Sequence, residues 1–303
     1  MNPHYPVYIV SKGRWKDVDR KTSRALQRLN VPHYMVVEKQ EYEVYKENVE
    51  SLGTVLILPK KYKKEYDTCD NLGKSKSKGP GAARNFAWEH SIQNGFDWHW
   101  VMDDNIRGFF RFNKNLEVPV ADGTILKCME DFVLRYENVG MAGPNYDYFV
   151  PRRIKFPPYS LNTRIYSCNF IRNDLPFRWR GRYNEDTDLS LRILKNNWCT
   201  VQFYAFLQRK QTTQTMKGGN TDEFYAHEGT LPKSKMQVNM HPDVSKLMWR
   251  YNRWHHYVNY SGFKQRLKRK STVEIPKGVN EYGMKFEEKI EDEWKKGELR
   301  RYG

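Results

Sequence analysis

Two acidic stretches of the sequence hold the residues best suited to chemistry, and the first is Asp103-Asp104-Asn105. It directly follows the short apolar run from Trp98 to Met102. Such a run predicts a buried strand, and ligands of open α/β sheets bind at the carboxyl ends of strands. Carboxylate and amide oxygens at that place suit Mg²⁺ or Mn²⁺ carrying a substrate phosphate, although the same residue types are also common in turns.

The second acidic stretch is Asn184-Glu185-Asp186-Thr187-Asp188, which opens a predicted helix from Leu189 to Lys195. Asn184 is a favourable N-cap, and acidic residues stabilise the first turn of a helix, so a purely structural interpretation is available. A carboxylate in this place could also accept a proton from a substrate hydroxyl. Both interpretations stay open at this point.

Two basic stretches could contact an anionic ligand. Ser11-Lys12-Gly13-Arg14 follows the predicted strand from Pro6 to Val10, and Gly79 to Asn85 opens a predicted helix from Ala82 to Asn94. Arg84 could place its guanidinium on a diphosphate, but it could equally be a surface arginine of a packed helix.

Short apolar runs alternate with helical patterns along the first half of the chain. This alternation predicts an α/β fold with a mainly parallel sheet flanked by helices. The predicted strands are 6–10, 34–38, 55–58, 98–102 and 166–171, and the predicted helices are 15–29, 42–52, 82–94, 126–136 and 189–195.

A phosphate-binding loop at Gly73-Lys74-Ser75 is excluded, because Thr68 stands where its first glycine is required. We expect residues 60–78 to form a basic loop, either over an anionic substrate or simply solvated. On the first interpretation its DNA contacts are Lys74, Lys76 and Lys78.

The composition favours a polyanionic partner. The 303 residues carry a net charge of +16, and 15% of them are aromatic. The four cysteines form no Cys-x-x-Cys pair, which argues against a zinc site or a disulfide framework and for reduced thiols. Without a leader or an apolar run of spanning length, we expect a soluble, cytoplasmic protein.

The C-terminal part is basic and aromatic. Trp249, Trp254 and Tyr257 are spaced as on a helix that packs on the core, although they could also stack on exposed bases. A second, charged helix is expected from Phe286 to Tyr302. The predicted DNA contacts of this part are Arg250, Arg253, Lys264, Arg266, Lys268, Arg269 and Lys270.

The order of these motifs resembles the GT-A fold of nucleotide-sugar glycosyltransferases, and more closely the TET-associated glycosyltransferases of bacteriophages. The resemblance rests on Tyr8 to Arg14, Gly79 to Asn85, Val101 to Asn105 and Asn184 to Asp188. It covers about the first two-thirds of the chain. It implies a core over 1–215, with a donor half to about 105 and an acceptor half from 106, and an extension over 216–303 that completes the active site and contacts DNA.

The resemblance implies metal-assisted transfer of a sugar, from a uridine diphosphate donor, to a hydroxymethylated pyrimidine in phage DNA, above all 5-hydroxymethylcytosine. Asp186 is the expected base, with Glu185 in reserve. Asn105 departs from the Asp-x-Asp pattern, so Asp104 or Asn105 completes the metal site beside Asp103, with His227 or His241 as a possible further ligand. The implied donor contacts are Ser11, Lys12, Arg14, Glu38, Arg84, Asn85, Asp103 and Asp104.

Two other functions compete with this hypothesis. The same fold could transfer sugar to a glycan, against which the charge of +16 counts. Alternatively, the chain could be a basic nucleic-acid-binding protein whose acidic motifs are only turns and caps.

Overall fold

A computed structural model describes residues 1–16, 20–70, 79–152, 156–211, 230–274 and 278–279. The chain divides into two compact units, Met1–Lys268 and Arg269–Gly303. In the described part of the chain, none of the helices combines the length and the hydropathy needed to cross a bilayer. All four cysteines are free thiols.

The first unit alternates strands and helices over most of its length. Its strands are β1 (Val7–Val10), β2 (His33–Val37), β3 (Gly53–Ile57), β4 (Trp98–Asp103), β5 (Ile106–Asn113), β6 (Leu116–Pro119), β7 (Val139–Tyr146), β8 (Tyr159–Leu161), β9 (Cys168–Arg172), β10 (Cys199–Lys210), β11 (Ser245–Arg250) and β12 (Arg253–Val258). Its helices are α1 (Lys21–Arg28), α2 (Tyr42–Asn48), α3 (Lys60–Glu65), α4 (Gly81–Gln93), α5 (Thr124–Leu134), α6 (Glu185–Lys195) and α7 (Leu231–Met240).

One large sheet has the strand order β3-β2-β1-β4-β9-β7-β10-β5-β6, with β8 paired to β10. The pairs β1–β2, β1–β4, β2–β3 and β7–β10 are parallel. Strands β5, β8 and β9 run against the others. The predicted α/β class, with most strands of the sheet in one direction, is confirmed.

Helices cover both faces of this sheet, which explains why β1 and β4 are apolar on both sides. Ile9 and Trp100 belong to one hydrophobic cluster, together with residues of α1 and α5. Tyr8 and Val101 belong to the other, together with Trp88 of α4 and residues of α6. Side chains alternate along a strand, so β1 and β4 are held by buried side chains on both faces. The residues at the ends of these strands are therefore held in fixed positions as well.

A fully buried carboxylate lies in the first of these clusters. Glu130 of α5 accepts hydrogen bonds from Trp100 Nε1 at 2.7 Å and from the backbone N–H of His4, also at 2.7 Å. Burial raises the pKa of Glu130 to about 7, and these hydrogen bonds oppose the shift only in part. The N-terminal segment is therefore fixed to α5 through a group that titrates near neutrality.

The C-terminal region differs from its prediction. The helix expected around Trp249 is wrong, because residues 245–258 form the antiparallel hairpin β11–β12, with Trp249 opposite Trp254. The short helix α3, within the expected basic loop, was not predicted. The predicted helix from Phe286 to Tyr302 lies outside the described residues, as do Lys74, Lys76 and Lys78.

Candidate active site

The functional side chains gather at one edge of the sheet. β1, β4, β7 and β10 run in the same direction, so their carboxyl ends lie on this edge. Ser11 follows β1, Asp103 ends β4, Tyr146 ends β7 and Lys210 ends β10. This is the edge at which open α/β sheets bind their ligands.

Asp103 is held between two cations. Its Oδ1 accepts from Arg84 Nη2 at 2.6 Å, and its Oδ2 accepts from Lys210 Nζ at 2.6 Å. Burial favours the neutral acid, but Lys210 and Arg84 outweigh it and hold the pKa of Asp103 well below its usual range. Asp103 is therefore a carboxylate at any physiological pH, paired with two buried cations.

Asp104 faces the loop after β1. Its carboxylate accepts from Ser11 Oγ at 2.7 Å and forms a salt bridge with Arg14. The Tyr45 hydroxyl lies 2.8 Å from Ser11 Oγ and accepts from the backbone N–H of Arg14 at 2.9 Å. Burial raises the pKa of Asp104, and its partners offset only part of that rise. Asp104 thus fixes the conformation of the loop from Ser11 to Arg14.

Asn105 differs from Asp104 in the hydrogen bonding of its side-chain oxygen. It is buried, and Asn105 Oδ1 has no hydrogen-bond partner within the described chain. Such an atom is unusual in a folded protein and is available to a ligand. Among the described residues, no three or more His, Cys, Asp and Glu side chains gather as a metal cluster. A cation here would have Asp103 and Asn105 as its protein oxygens, which suits an ion that keeps water and phosphate ligands.

Of the two histidines predicted as metal ligands, His241 lies among the described residues. His241 Nε2 is 2.8 Å from Asp188 Oδ1, and its Nδ1 is 3.1 Å from Lys195 Nζ, so both ring nitrogens have hydrogen-bond partners. His227 lies outside the described residues. A histidine ligand stays a prediction.

Arg84 connects the two acidic stretches. Its Nη1 lies 3.3 Å from Glu185 Oε1, while its Nη2 holds Asp103. The guanidinium also lies over the ring of Trp179, 4.6 Å from the centroid. Burial raises the pKa of Glu185 to about 7, although Arg84 opposes that rise. Glu185 therefore changes charge in the neutral range, next to a buried arginine.

Asp186 is the more accessible acid of this stretch. It is partly exposed, and its Oδ1 accepts from the backbone N–H of Thr187 at 2.8 Å. The pKa values of Arg84, Lys210 and Arg164 are raised against the effect of burial mainly by other groups, and the charge of Asp186 acts on all three in the same direction. A partly exposed carboxylate among cations is well placed to take a proton from an entering hydroxyl.

The start of α6 differs in detail from its prediction. Asn184 occupies the N-cap position, as predicted, with φ 53°, but its side chain makes no capping hydrogen bond. Asn184 Nδ2 instead donates to the Lys233 carbonyl at 2.9 Å. Asp188 is fully buried and pairs with Arg180, Arg192 and His241. Asp188 is therefore paired within the protein and does not face a ligand.

Other predicted donor residues lie nearby with different contacts. Glu38 follows β2, and its Oε1 lies 2.8 Å from Lys63 Nζ and 3.4 Å from Lys12 Nζ. The side-chain amide of Asn85 donates to the Trp179 carbonyl at 2.9 Å and accepts from the Trp179 N–H at 2.8 Å. Asn85 thus positions the segment that carries the ring under Arg84, and its contact with a donor stays a prediction.

Sequence reasoning missed several residues of the site. Lys210 Nζ, besides holding Asp103, lies 2.7 Å from Ser167 Oγ, which in turn lies 2.5 Å from the Tyr146 hydroxyl. Lys210 ends the twelve-residue strand β10, which was not predicted, so the lysine at its carboxyl end was missed together with the strand. Tyr45 lies in the middle of α2, and no sequence signal marks it.

The β11–β12 hairpin carries both basic side chains and aromatic rings. Its two-residue turn places Tyr251 and Asn252 at φ 51° and 57°, and Tyr251 is 85% exposed. The rings of Trp249 and Trp254 meet edge to face with centroids 5.3 Å apart. No acidic residue occurs from Val244 to Val273. The predicted DNA contacts Arg250 and Arg253 flank the turn.

The hairpin is attached close to the acidic helix start. Helix α7 packs against both of its strands, and Ser234 Oγ donates to the Trp254 carbonyl at 3.4 Å. The carbonyl that Asn184 contacts, that of Lys233, lies in the same helix. The hairpin is therefore tied through α7 to the residue that precedes Glu185.

The predicted DNA contacts beyond the hairpin follow an extended segment. Lys264, Arg266 and Lys268 are exposed, while the residues between them are partly buried. The Lys268 carbonyl accepts from Glu137 N–H at 2.9 Å, next to the amino end of β7. These three cations lie toward the edge opposite Asp103. Arg269 and Lys270 begin the second unit, in which Arg269 is exposed and Lys270 is partly buried.

Comparison with known proteins agrees with this geometry. The family model described as TET-Associated Glycosyltransferase matches residues 5–219, which span the sheet, the two acidic stretches and Lys210. No curated protein matches the chain. The match extends over most of the chain and includes every motif of the resemblance, and the protein therefore belongs to the TET-associated glycosyltransferase family.

Proposed function

We propose that this glycosyltransferase moves a sugar from a uridine diphosphate donor to the hydroxymethyl group of 5-hydroxymethylcytosine in DNA. The observation that carries the proposal is Asp103 held between Arg84 and Lys210, with the partly exposed Asp186 among the same cations. An anionic donor requires cations, and a hydroxyl acceptor requires a group that accepts its proton. Both kinds of group occur at this edge of the sheet.

The buried cations are suited to the donor diphosphate. Arg84 and Lys210 have their charges fixed by Asp103, so they need little reorganisation when negative charge develops on the leaving group. Ser11 and Arg14, fixed by Asp104 and Tyr45, are suited to the nucleotide. Lys12 and Glu38 lie at the neighbouring strand end.

A divalent ion, Mn²⁺ or Mg²⁺, is part of the proposal. Asp103 and Asn105 would hold it, because Asn105 Oδ1 is buried without a partner in the described chain while Asp104 is used by the Ser11 loop. Once bound, the ion would neutralise charge on the diphosphate. Asn105 contributes an oxygen but no charge, so Asp103, which also pairs with Lys210, would be the anionic ligand of the ion.

Asp186 is proposed as the general base. The hydroxymethyl oxygen forms a bond to the anomeric carbon, the bond from that carbon to the diphosphate oxygen breaks, and the hydroxyl proton passes to Asp186. A single displacement of this kind inverts the anomeric configuration. Glu185, buried against Arg84, positions the guanidinium and does not need to reach the acceptor.

DNA is proposed to approach from the side of the β11–β12 hairpin. Arg250 and Arg253 flank an exposed turn in a segment without acidic residues, which suits contact with phosphates. Because the hairpin is tied through α7 to the start of α6, DNA bound there would lie near Asp186.

The decisive test combines donors, metals and acceptors. Purified protein is incubated with a panel of nucleotide sugars, with Mn²⁺, Mg²⁺ or a chelator, and with duplex DNA carrying cytosine, 5-hydroxymethylcytosine or 5-hydroxymethyluracil. Nucleoside mass spectrometry should detect a glycosylated 5-hydroxymethylcytosine and no product on plain cytosine. The absence of a new nucleoside with every donor and acceptor would refute the proposed function.

Variants can assign the metal ligands in the same assay. Asn105→Ala should raise the Mn²⁺ concentration required for half-maximal activity, whereas Asp97→Asn, in an exposed loop beyond α4, should not. Asp104→Asn should instead weaken donor binding at saturating Mn²⁺. Equal activity with and without chelator would overturn the metal part alone.

A further inference from the structure

The carboxyl end of β7 carries a group of aromatic rings beside the candidate active site. Tyr146 ends the strand, and a short 3-10 helix, Asp147–Phe149, follows at once. Tyr146 and Tyr148 stack with centroids 5.1 Å apart and planes at 20°. Phe149 packs edge-on against Tyr148 at 4.5 Å. The two outer rings are largely uncovered, with Tyr148 59% and Phe149 46% exposed.

A continuous series of polar contacts connects these rings to Asp103. Lys210 Nζ lies 2.6 Å from Asp103 Oδ2 and 2.7 Å from Ser167 Oγ. Ser167 Oγ lies 2.5 Å from the hydroxyl of Tyr146, whose ring supports Tyr148. The exposed rings therefore lie beside the donor site and not on a remote surface.

The same rings lie close to the groups around the proposed base. The charges of Lys210 and Arg164 act on Tyr148. The Arg164 guanidinium is 5.0 Å from the ring of Tyr166, and Tyr166 packs against Tyr146 at 4.5 Å. Since the charge of Asp186 acts on both Arg164 and Lys210, Tyr148 and Asp186 share the same two cations as neighbours.

The short helix Asp147–Phe149 is held in place by an ion pair with β10. Asp147 forms a salt bridge with Arg209, and Arg209 lies 2.6 Å from Glu117 and 4.0 Å over the ring of Phe110. Two exposed aromatic side chains on a fixed support are costly to solvate and well prepared to bind a flat apolar ligand.

A pyrimidine in a duplex cannot present its hydroxymethyl group to a donor buried at a sheet edge. Enzymes that act on such bases turn them out of the stack and bind them between aromatic or apolar side chains. Stacking of a base on an aromatic ring does not depend on which base it is, so the ring supplies affinity and the hydroxymethyl group supplies the reaction.

We propose that Tyr148 and Phe149 form the platform on which the hydroxymethylated pyrimidine stacks after it has left the duplex, with its hydroxyl directed toward Asp186. This inference rests on the proposed function, since it assumes a DNA acceptor. The hairpin contacts phosphates, whereas the platform binds the base itself.

The test compares variants that lose an aromatic ring at Tyr148 or Phe149 with a variant that keeps it. Tyr148→Leu and Phe149→Leu, alone and together, remove the aromatic faces, and Tyr148→Phe keeps one. Phe96→Leu, a partly exposed aromatic residue beyond α4, is the matched control. The double leucine variant should raise the KM for 5-hydroxymethylcytosine DNA roughly tenfold or more, with the donor KM unchanged. Tyr148→Phe, which keeps the ring, should raise this KM far less than the leucine variants, and Phe96→Leu should resemble the unmodified protein.

A second measurement does not depend on turnover. A duplex with 2-aminopurine next to the 5-hydroxymethylcytosine reports extrusion as a rise in fluorescence when protein is added. The double leucine variant should bind this duplex, as measured by anisotropy, and lose most of the fluorescence rise. Thermal melting and binding of uridine diphosphate check that the variants are folded.

The outcomes separate the two proposals. An unmodified protein that makes no product refutes the proposed function, and the fluorescence comparison still decides about the platform. A rise in donor KM without a change in acceptor KM assigns the rings to the donor sugar and overturns the platform. An acceptor KM and a fluorescence rise that survive loss of both rings overturn it as well.

Discussion

The Lys210 ammonium donates to the Asp103 carboxylate at 2.6 Å, although 107 positions separate the two residues in the chain. Each group fixes the ionisation of the other. Asp103 raises the pKa of Lys210 against the effect of burial, and Lys210 helps to hold the pKa of Asp103 well below its usual range. The Asp103–Lys210 pair therefore locates the site, which the sequence Asp103-Asp104-Asn105 alone does not.

Removing the charge of Lys210 should impair the reaction. Lys210→Met removes one of the two buried cations proposed to face the diphosphate and leaves Arg84 alone, so kcat/KM should fall by about 10²- to 10³-fold, as for other preorganised groups that stabilise developing charge. Lys210→Arg should keep part of the activity. Steady-state kinetics with the donor varied measures the loss.

The control for this change is Lys127→Met, which removes a lysine of α5 paired with Asp131 at 2.8 Å. It should leave turnover unaffected. Turnover and donor affinity that are both intact in Lys210→Met would exclude Lys210 from the site.

Asp186 and Glu185 should respond differently to neutralisation. Asp186→Asn removes the proposed base, so kcat should fall by about 10²- to 10⁴-fold while the KM values change little. Glu185→Gln should cost less, because Glu185 is buried against Arg84 and does not meet the acceptor. Single-turnover kinetics at saturating substrates distinguishes the two, and the reverse order of losses would assign the base to Glu185.

Donor affinity should depend on pH through Glu185. Burial raises the pKa of Glu185 to about 7, so below that pH it is neutral and the charge of Arg84 is less compensated. An anionic sugar nucleotide, whose bridging diphosphate stays ionised over this range, should therefore bind several-fold more tightly at pH 6 than at pH 8. Calorimetric titration without acceptor measures this change.

In Glu185→Gln the same titration should give nearly constant affinity, because the amide does not ionise. A pH dependence that is the same in the variant and in the unmodified protein would trace the effect to another group.

The hairpin should contribute phosphate contacts. Arg250→Ala combined with Arg253→Ala removes two cations from an exposed turn, so the slope of log affinity against log salt concentration should decrease by about two. Fluorescence anisotropy on a labelled duplex over a salt series gives the slope. Arg28→Ala, an exposed arginine at the end of α1, is the control, and an unchanged slope in the double variant would place the DNA elsewhere.

The stability of the fold should also depend on pH, through Glu130. Its pKa is raised from 4.5 to about 7 in the folded protein, so its contribution to the free energy of unfolding is complete below 4.5 and is lost as the pH rises through 7. The loss corresponds to about 3 kcal/mol at 1.36 kcal/mol per pKa unit. Chemical denaturation of Glu130→Gln should show a flatter pH profile over this window.

The comparison for that profile is Glu137→Gln, an exposed glutamate beyond α5. Its pH profile should match that of the unmodified protein. A profile of Glu130→Gln that also matches would show that this buried carboxylate does not control the pH dependence.

Much of the donor half was predictable from the sequence. Short apolar runs predicted β1, β2, β3 and β4 within a residue or two, because a strand covered on both faces is apolar throughout. The strand ends then indicated Ser11 and Asp103 as neighbours, since carboxyl ends of parallel strands share an edge. Asp104 and Asn105 could not be separated in this way, because both follow the last residue of β4 and the alternation of side chains along a strand does not extend to them.

The rest depended on contacts that no local pattern encodes. Lys210 is brought to Asp103 by the pairing of β10 with β7 and of β9 with β4, which joins segments distant in the sequence. The hairpin at Trp249 was mistaken for a helix because its turn, Tyr251-Asn252, is not one of the Asn-Gly or Asp-Gly pairs that usually mark such a turn. The rings of Tyr148 and Phe149 lie in a region without clear periodicity.

The position of Lys210 at the end of β10 has a consequence for folding. β10 pairs with β7, β5 and β8, so Lys210 can reach Asp103 only after strands from most of the chain have come together. Sheets that depend on such distant pairings fold slowly. During refolding, tight binding of the donor should therefore appear late, with closure of the whole sheet, and not when the strands next to Ser11 first form.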